Sequence, residues 1–91
     1  MLIKVVKHDE ILGDLTGHVN VETFSQLVKV DRKTSGLDAF AYAKTLGVTR
    51  QTINLIESGR AKMGKMKMAG FAALRGYDVN DVLKAFCKEE S

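Results

Sequence analysis

The sequence predicts an all-α fold of five short helices in one domain, residues 21–91, preceded by an extension, residues 1–20, that reads as a β-strand or hairpin. Three observations predict it. Apolar residues fall at Val21, Phe24, Leu27, Val28 and Val30, spacings of three and four that line one face of a helix. Beyond them, glycines and capping residues recur at short intervals, at Ser35-Gly36 and Asp38, at Gly47 and Thr49, at Gly59, and at Gly76 and Asn80. The chain has no proline, and its 91 residues, 45% of them hydrophobic, suffice for one core and not for two.

The elements follow from these signals in order. Leu2 to Val6 is rich in β-branched residues and reads as a strand, with Gly17 to Val21 as its antiparallel partner. Glu10 to Leu15 reads alternatively as a helical turn. A lone hairpin is marginal in water unless something covers it, and a second subunit could do so. The first helix begins at Val21 and is ended by Ser35-Gly36, because glycine readily takes the left-handed conformation that closes a helix. Asp38 caps the second helix, Ala39 to Leu46, and Gly47 ends it. Thr49 caps the third, Arg50 to Ser58, with Ile53 and Ile56 inward and Gly59 as its stop. After a basic loop, Arg60 to Lys65, the fourth helix runs from Lys67 to Leu74, with Met68, Phe71, Ala72 and Leu74 apolar. Asn80 caps the fifth, Asp81 to Lys88, which carries Val82, Leu83 and Phe86 on one side.

Charge is unevenly placed along this plan. Residues 44–75 hold seven basic side chains (Lys44, Arg50, Arg60, Lys62, Lys65, Lys67 and Arg75) against Glu57 alone, a net of +6, whereas residues 1–43 and 76–91 are mildly negative. A positive centre between acidic ends is the footprint expected of a protein that binds a polyanion. No apolar run approaches the length of a membrane span, and Met1 to Val6 is too short for the core of a signal peptide, so a cytoplasmic setting is expected. Cys87 is the one cysteine, and His8 and His18 lack a ligand cluster beside them, so neither a disulfide nor a metal or other cofactor is implied. No nucleophile and base stand at a recognisable spacing, and Asp9, Glu10 and Asp14 read as a solvated face, which places an enzyme last among the functional classes.

The most informative stretch joins the second and third helices through Gly47-Val48-Thr49. Ala43 is small, so two helices can cross closely; Gly47 permits a sharp turn; Val48 and Ile53 fill the angle between the helices. Thr49 caps the third helix and leaves Arg50, Gln51 and Thr52, all able to hydrogen-bond base edges or phosphates, on its first turn. Gly59 to Lys65 has most of the spacing of a phosphate-binding P-loop, but Met66 stands where a magnesium-ligating hydroxyl belongs, and a P-loop follows a strand. Arg60, Lys62 and Lys65 are better read as gripping a nucleic-acid backbone, with Lys44 and Thr49 completing the phosphate-binding set. The methionines at 63, 66 and 68 read as core or dimer packing.

With Ala43, Gly47-Val48-Thr49, Ile53 and Glu57-Ser58-Gly59-Arg60 in place, the segment from Val21 to Phe86 resembles the phage-repressor/Cro-type (XRE-type) helix-turn-helix domain. The resemblance implies a five-helix, lambda-repressor-like DNA-binding domain whose third helix lies in the major groove. It carries base reading to Arg50, Gln51, Thr52 and Leu55, and it pairs Arg32 on the first helix with Glu57 at the end of the third. Three departures stand out: Ala39 replaces a glutamine that contacts phosphate in the family, Phe40 and Tyr42 add bulk to the second helix, and the proline common after the third helix is absent. The function so implied is a transcriptional regulator, a repressor that holds a palindromic double-stranded operator as a homodimer. An antitoxin that also binds a toxin, or an anti-repressor that meets only protein, would use the same fold. Val82, Leu83 and Phe86, whose apolar surface is hard to cover within so short a chain, are the expected dimer contact, with the N-terminal extension as an accessory arm.

Overall fold

A computed structural model describes residues 1–9, 13–61 and 63–87 of the chain. Strands β1 (Leu2–Asp9) and β2 (Gly13–Asn20) form an antiparallel hairpin, and five helices follow: α1 (Phe24–Ser35), α2 (Ala39–Leu46), α3 (Arg50–Glu57), α4 (Lys65–Arg75) and α5 (Val79–Phe86). The fold is mostly helical, with the five helices expected and one small sheet. Among the described residues, no helix is long and apolar enough to cross a membrane.

The hairpin is longer than the sequence suggested, and it is covered by its own chain. Its register runs from Leu2 opposite Asn20 to Asp9 opposite Gly13. Residues 13–15 therefore belong to a strand and not to a helical turn, while residues 10–12 lie outside the described residues. Strand alternation turns Ile3 into the core and leaves Leu2 and Val6 exposed. The free edge of β1 is then taken up by the link between α4 and α5. The Val6 amide donates to the Gly76 carbonyl at 2.7 Å, the Asp78 amide donates to the Lys4 carbonyl at 2.8 Å, and Val5 forms an antiparallel bridge with Tyr77. The Lys4 amide also donates to the Asp81 carboxylate at 3.0 Å. This close approach demands a glycine at 76: its φ is +79°, and a Cβ there would overlap the Lys7 side chain and sit 3.2 Å from Lys7 Cα.

Helix α1 starts at Phe24, not Val21. Val21 keeps the apolar spacing but lies on extended chain, where its amide donates to the Met1 carbonyl at 3.0 Å. Thr23 caps the helix, its hydroxyl accepting from the Gln26 amide at 3.1 Å, and Gln26 Oε1 accepts in return from the Glu22 amide at 2.6 Å. The caps Asp38 and Thr49 stand where the sequence placed them. Helix α5 begins earlier than expected because Asp78, not Asn80, caps it, accepting from the Asp81 amide at 3.0 Å.

Leu27, Val28, Ile53, Phe71 and Val82 meet in the core, and Phe24 sits at the centre of an aromatic group. Its ring packs edge-on against Phe71 at 5.2 Å and Phe86 at 6.0 Å, and Phe71 stacks on Tyr77 at 5.9 Å. This removes one residue, Val82, from the expected dimer contact. Val82 is 0% exposed within its own chain, and Leu83 and Phe86 are half-buried against the same core, because α5 packs on α4 and on β1, with Phe86 against Phe24 of α1. Of the three methionines, Met68 is buried and Met63 half-buried, but Met66 is exposed and packs into no core.

Candidate nucleic-acid interface

The candidate site is built on the α2–α3 corner. Gly47 adopts φ +69°, and the Val48 amide donates back to the Ala43 carbonyl at 3.0 Å, which folds the chain sharply enough for α3 to leave at an angle. Thr49 Oγ1 accepts from the Thr52 amide at 3.2 Å and so fixes the first turn of α3. Ile53 and Ile56 anchor α3 to the core; Ile53 is fully buried in the corner, and Val48 stands at its rim, 38% exposed. With that face inward, the helical repeat sends Arg50, Gln51, Asn54 and Leu55 outward, and all four are exposed.

Thr52 departs from this group. It is half-buried on the side of α3 toward α4, and its hydroxyl lies 3.0 Å from Thr49 Oγ1. Asn54 stands in the outward position instead. The sequence already contained the signal: residues 50, 51, 54 and 55 share a face at spacings of three and four, whereas 52 belongs with 49, 53 and 56.

Around this row the basic side chains are unevenly distributed. Lys44 is exposed, with its ammonium 5.6 Å from the centre of the Phe40 ring. The two residues line a shallow groove together with Thr49, Arg50, Gln51 and Asn54. At the far end of α3 the amides of Arg60 and Ala61 both donate to the Leu55 carbonyl, at 2.9 and 3.1 Å, and Arg60 is exposed there. Lys65 is exposed on the first turn of α4, whose N-cap, Gly64, offers no side chain to its free amides. Lys62 lies outside the described residues.

Arg32 and Glu57 make a two-pronged pair, Nε to Oε2 at 2.6 Å and Nη2 to Oε1 at 2.9 Å, which ties the end of α1 to the end of α3. Hydrogen bonding to Glu57 holds the Arg32 guanidinium pKa above its usual range.

Arg75, by contrast, leaves the basic surface. It donates to Asp31, a carboxylate 0% exposed that also accepts from the Tyr42 hydroxyl at 2.6 Å and the Tyr77 hydroxyl at 2.7 Å, with Arg75 itself at 2.7 Å. Lys7 Nζ stands 3.6 Å away. Burial by itself would raise the Asp31 pKa; the bonds from Tyr42, Tyr77 and Arg75 outweigh it and hold the carboxyl below its ordinary value. Burial and the bond to Asp31 push both tyrosine hydroxyls well above the usual phenol range. This cluster joins β1, α1, α2, α4 and the α4–α5 link. The bulk of Tyr42, which looked out of place in α2, is explained by it. Asp31 itself was visible as a charge on the apolar stripe of Phe24, Leu27 and Val28.

The outward row thus offers paired donors and acceptors (Gln51, Asn54), a cation with a planar fork (Arg50) and an aliphatic surface (Leu55), with separate cations at both ends. That set suits an anionic polymer whose side-on edges carry hydrogen-bonding groups. Comparison with protein-family models, with curated proteins and with solved structures returns no match.

Proposed function

We propose that this chain is a sequence-specific double-stranded DNA-binding regulator, in which α2, the turn and α3 act as a helix-turn-helix and α3 enters the major groove. The observation that carries the reading is the exposed row Arg50, Gln51, Asn54 and Leu55 on a helix capped by Thr49 and flanked by Lys44 and Arg60. Gln51 and Asn54 suit adenine, Arg50 suits guanine, and Leu55 suits a thymine methyl. Lys44, Arg60, Lys65 and the sequence-assigned Lys62 grip phosphates, and the free amides at the start of α4 add to them.

The regulator is a repressor that works as a homodimer on a palindromic operator, because one helix of this size reads few base pairs. With Val82 in the core, the dimer contact falls to the exposed outer face of the hairpin, at Leu2 and Val6, and to the rim of α5. Selection from random duplexes tests the proposal. A palindromic consensus is expected, with Gln51→Ala relaxing one or two positions at about 1–3 kcal/mol on the preferred site. Arg60→Ala should weaken all duplexes alike. Equal enrichment of every sequence, or the same effect from both variants, would overturn it.

A further inference from the structure

An apolar pocket of about 400 Å³ opens on the inner side of the α2–α3 corner, away from the row just described. Val28, Val48, Ile56, Phe71 and Leu74 form its walls. Val48 and Leu74 keep apolar surface exposed at its rim. Helix α4 presents Lys67, Gly70, Phe71 and Leu74 to it at spacings of three and four, and at Gly70 a Cβ would meet nothing within 4 Å, so the missing side chain leaves the pocket open there. Lys67 is the one charged residue on the lining, which carries no carboxylate, and among the described residues no acid pairs with Lys67. The Thr52 hydroxyl is the second polar group.

We infer that this pocket binds a small apolar anion, an aromatic or branched carboxylate or sulfonate whose body lies against Phe71 and Leu74 and whose acid group meets Lys67. The volume falls in the range of pockets that hold such molecules. A docked helix does not fit, since a single turn about 10 Å across and about 5.4 Å long would already fill the space. The lone cation amid apolar walls selects charge as well as size. The pocket wall is also the inner side of α3, so an occupant bears directly on how α3 is seated.

The test uses the full chain, with 8-anilinonaphthalene-1-sulfonate as the anionic probe and N-phenyl-1-naphthylamine as its neutral counterpart. Binding is followed by fluorescence and by amide chemical shifts. Expected is one-to-one binding of the sulfonate, with shifts centred on Val48, Thr52, Gly70 and Leu74. Lys67→Gln should weaken the sulfonate about fivefold and leave the neutral probe unchanged. Gly70→Ala and Gly70→Leu should weaken both probes progressively; the alanine variant adds one methyl to a helix with room for it and so stays folded. No binding, shifts spread over the whole chain, or binding indifferent to the Gly70 series would overturn the pocket. Equal loss of both probes in Lys67→Gln would overturn its preference for anions. All of these are read without DNA, so failure here leaves the DNA-binding proposal standing, and the reverse holds too.

Discussion

Replacing Asp31 with asparagine keeps the shape of the side chain and removes its charge. In the native protein that charge sits among three hydrogen bonds of 2.6–2.7 Å, from Tyr42, Tyr77 and Arg75, with Lys7 close by. Taking one partner from a buried ion pair costs about 3–5 kcal/mol, because the opposite charge is left in the interior. Arg75 and Lys7 are 21% and 35% exposed at the side chain, so water can partly rescue them, and the expected loss lies near the bottom of that range, about 3 kcal/mol. For a chain of this size, that lowers the melting temperature by roughly 12–24 °C. Urea denaturation followed by circular dichroism measures it. The pH dependence supplies an independent check. The folded pKa of Asp31 lies below the unfolded value, so its contribution is present above about pH 4 and disappears as pH falls through the folded pKa. Asp31→Asn should abolish that part of the acid sensitivity. The tyrosines work in the opposite sense: their folded pKa values are raised, so their contribution is complete below about pH 10 and is lost at higher pH as they ionise. A variant that loses less than about 1 kcal/mol and keeps the wild-type acid profile would refute the account of the cluster.

Three further outcomes are expected. Glu57→Ala leaves the Arg32 fork without its partner at a site where Glu57 is 11% and Arg32 24% exposed, and should cost about 1–3 kcal/mol in a thermal melt; no change would mean the pair is not formed in solution. Gly76→Ala should destabilise by at least about 2 kcal/mol, since it adds the overlap with Lys7 to the left-handed penalty, whereas Gly36→Ala, with open space around its Cβ, should cost only about 1 kcal/mol; equal effects would show that the hairpin does not pack closely on residue 76. Titrations of duplex binding at several salt concentrations should give a steep fall in affinity, and Lys44→Ala should reduce the slope by about 0.9, with an unchanged slope removing Lys44 from the phosphate contacts.

What the sequence disclosed was what short-range chemistry decides. Asp38, Thr49, Gly36 and Gly47 each act on neighbours within a turn, so the limits of α2 and the start of α3 could be read directly. Where two local signals compete, short-range chemistry does not decide: Asp78 and Asn80 are both good caps, and Asp78 is the one held in place by the docking of residues 76–78 onto β1. Thr52 was placed by its neighbours in sequence, although its helical phase puts it on the other side of α3. The Asp31 cluster was invisible for a different reason. Its partners Arg75 and Tyr77 are 44 and 46 residues away, and no periodicity along the chain connects them. Val82 looked like surplus apolar surface because the hairpin that helps bury it had no assigned position. On the candidate interface, Arg50 and Gln51 were legible from their place on the first turn after the Thr49 cap, Leu55 entered only through the resemblance, and Asn54 would have joined them had the helical face been counted to the end of α3.

The attachment of β1 to residues 76–81 also bears on the order of events while the chain is being made. The bond from Lys4 to Asp81 spans 77 residues, so the hairpin emerges from the ribosome long before the segment that completes its edge. Helices α1, α2 and α3 can meet on nearby contacts, with the Tyr42 hydroxyl already within reach of Asp31, but that carboxylate lacks its bonds from Arg75 and Tyr77 until they are made. Closing so long a loop is slow relative to local helix pairing. Until residues 76–78 have been made and have docked, the edge of β1 lacks the partner that protects it against unwanted strand pairing.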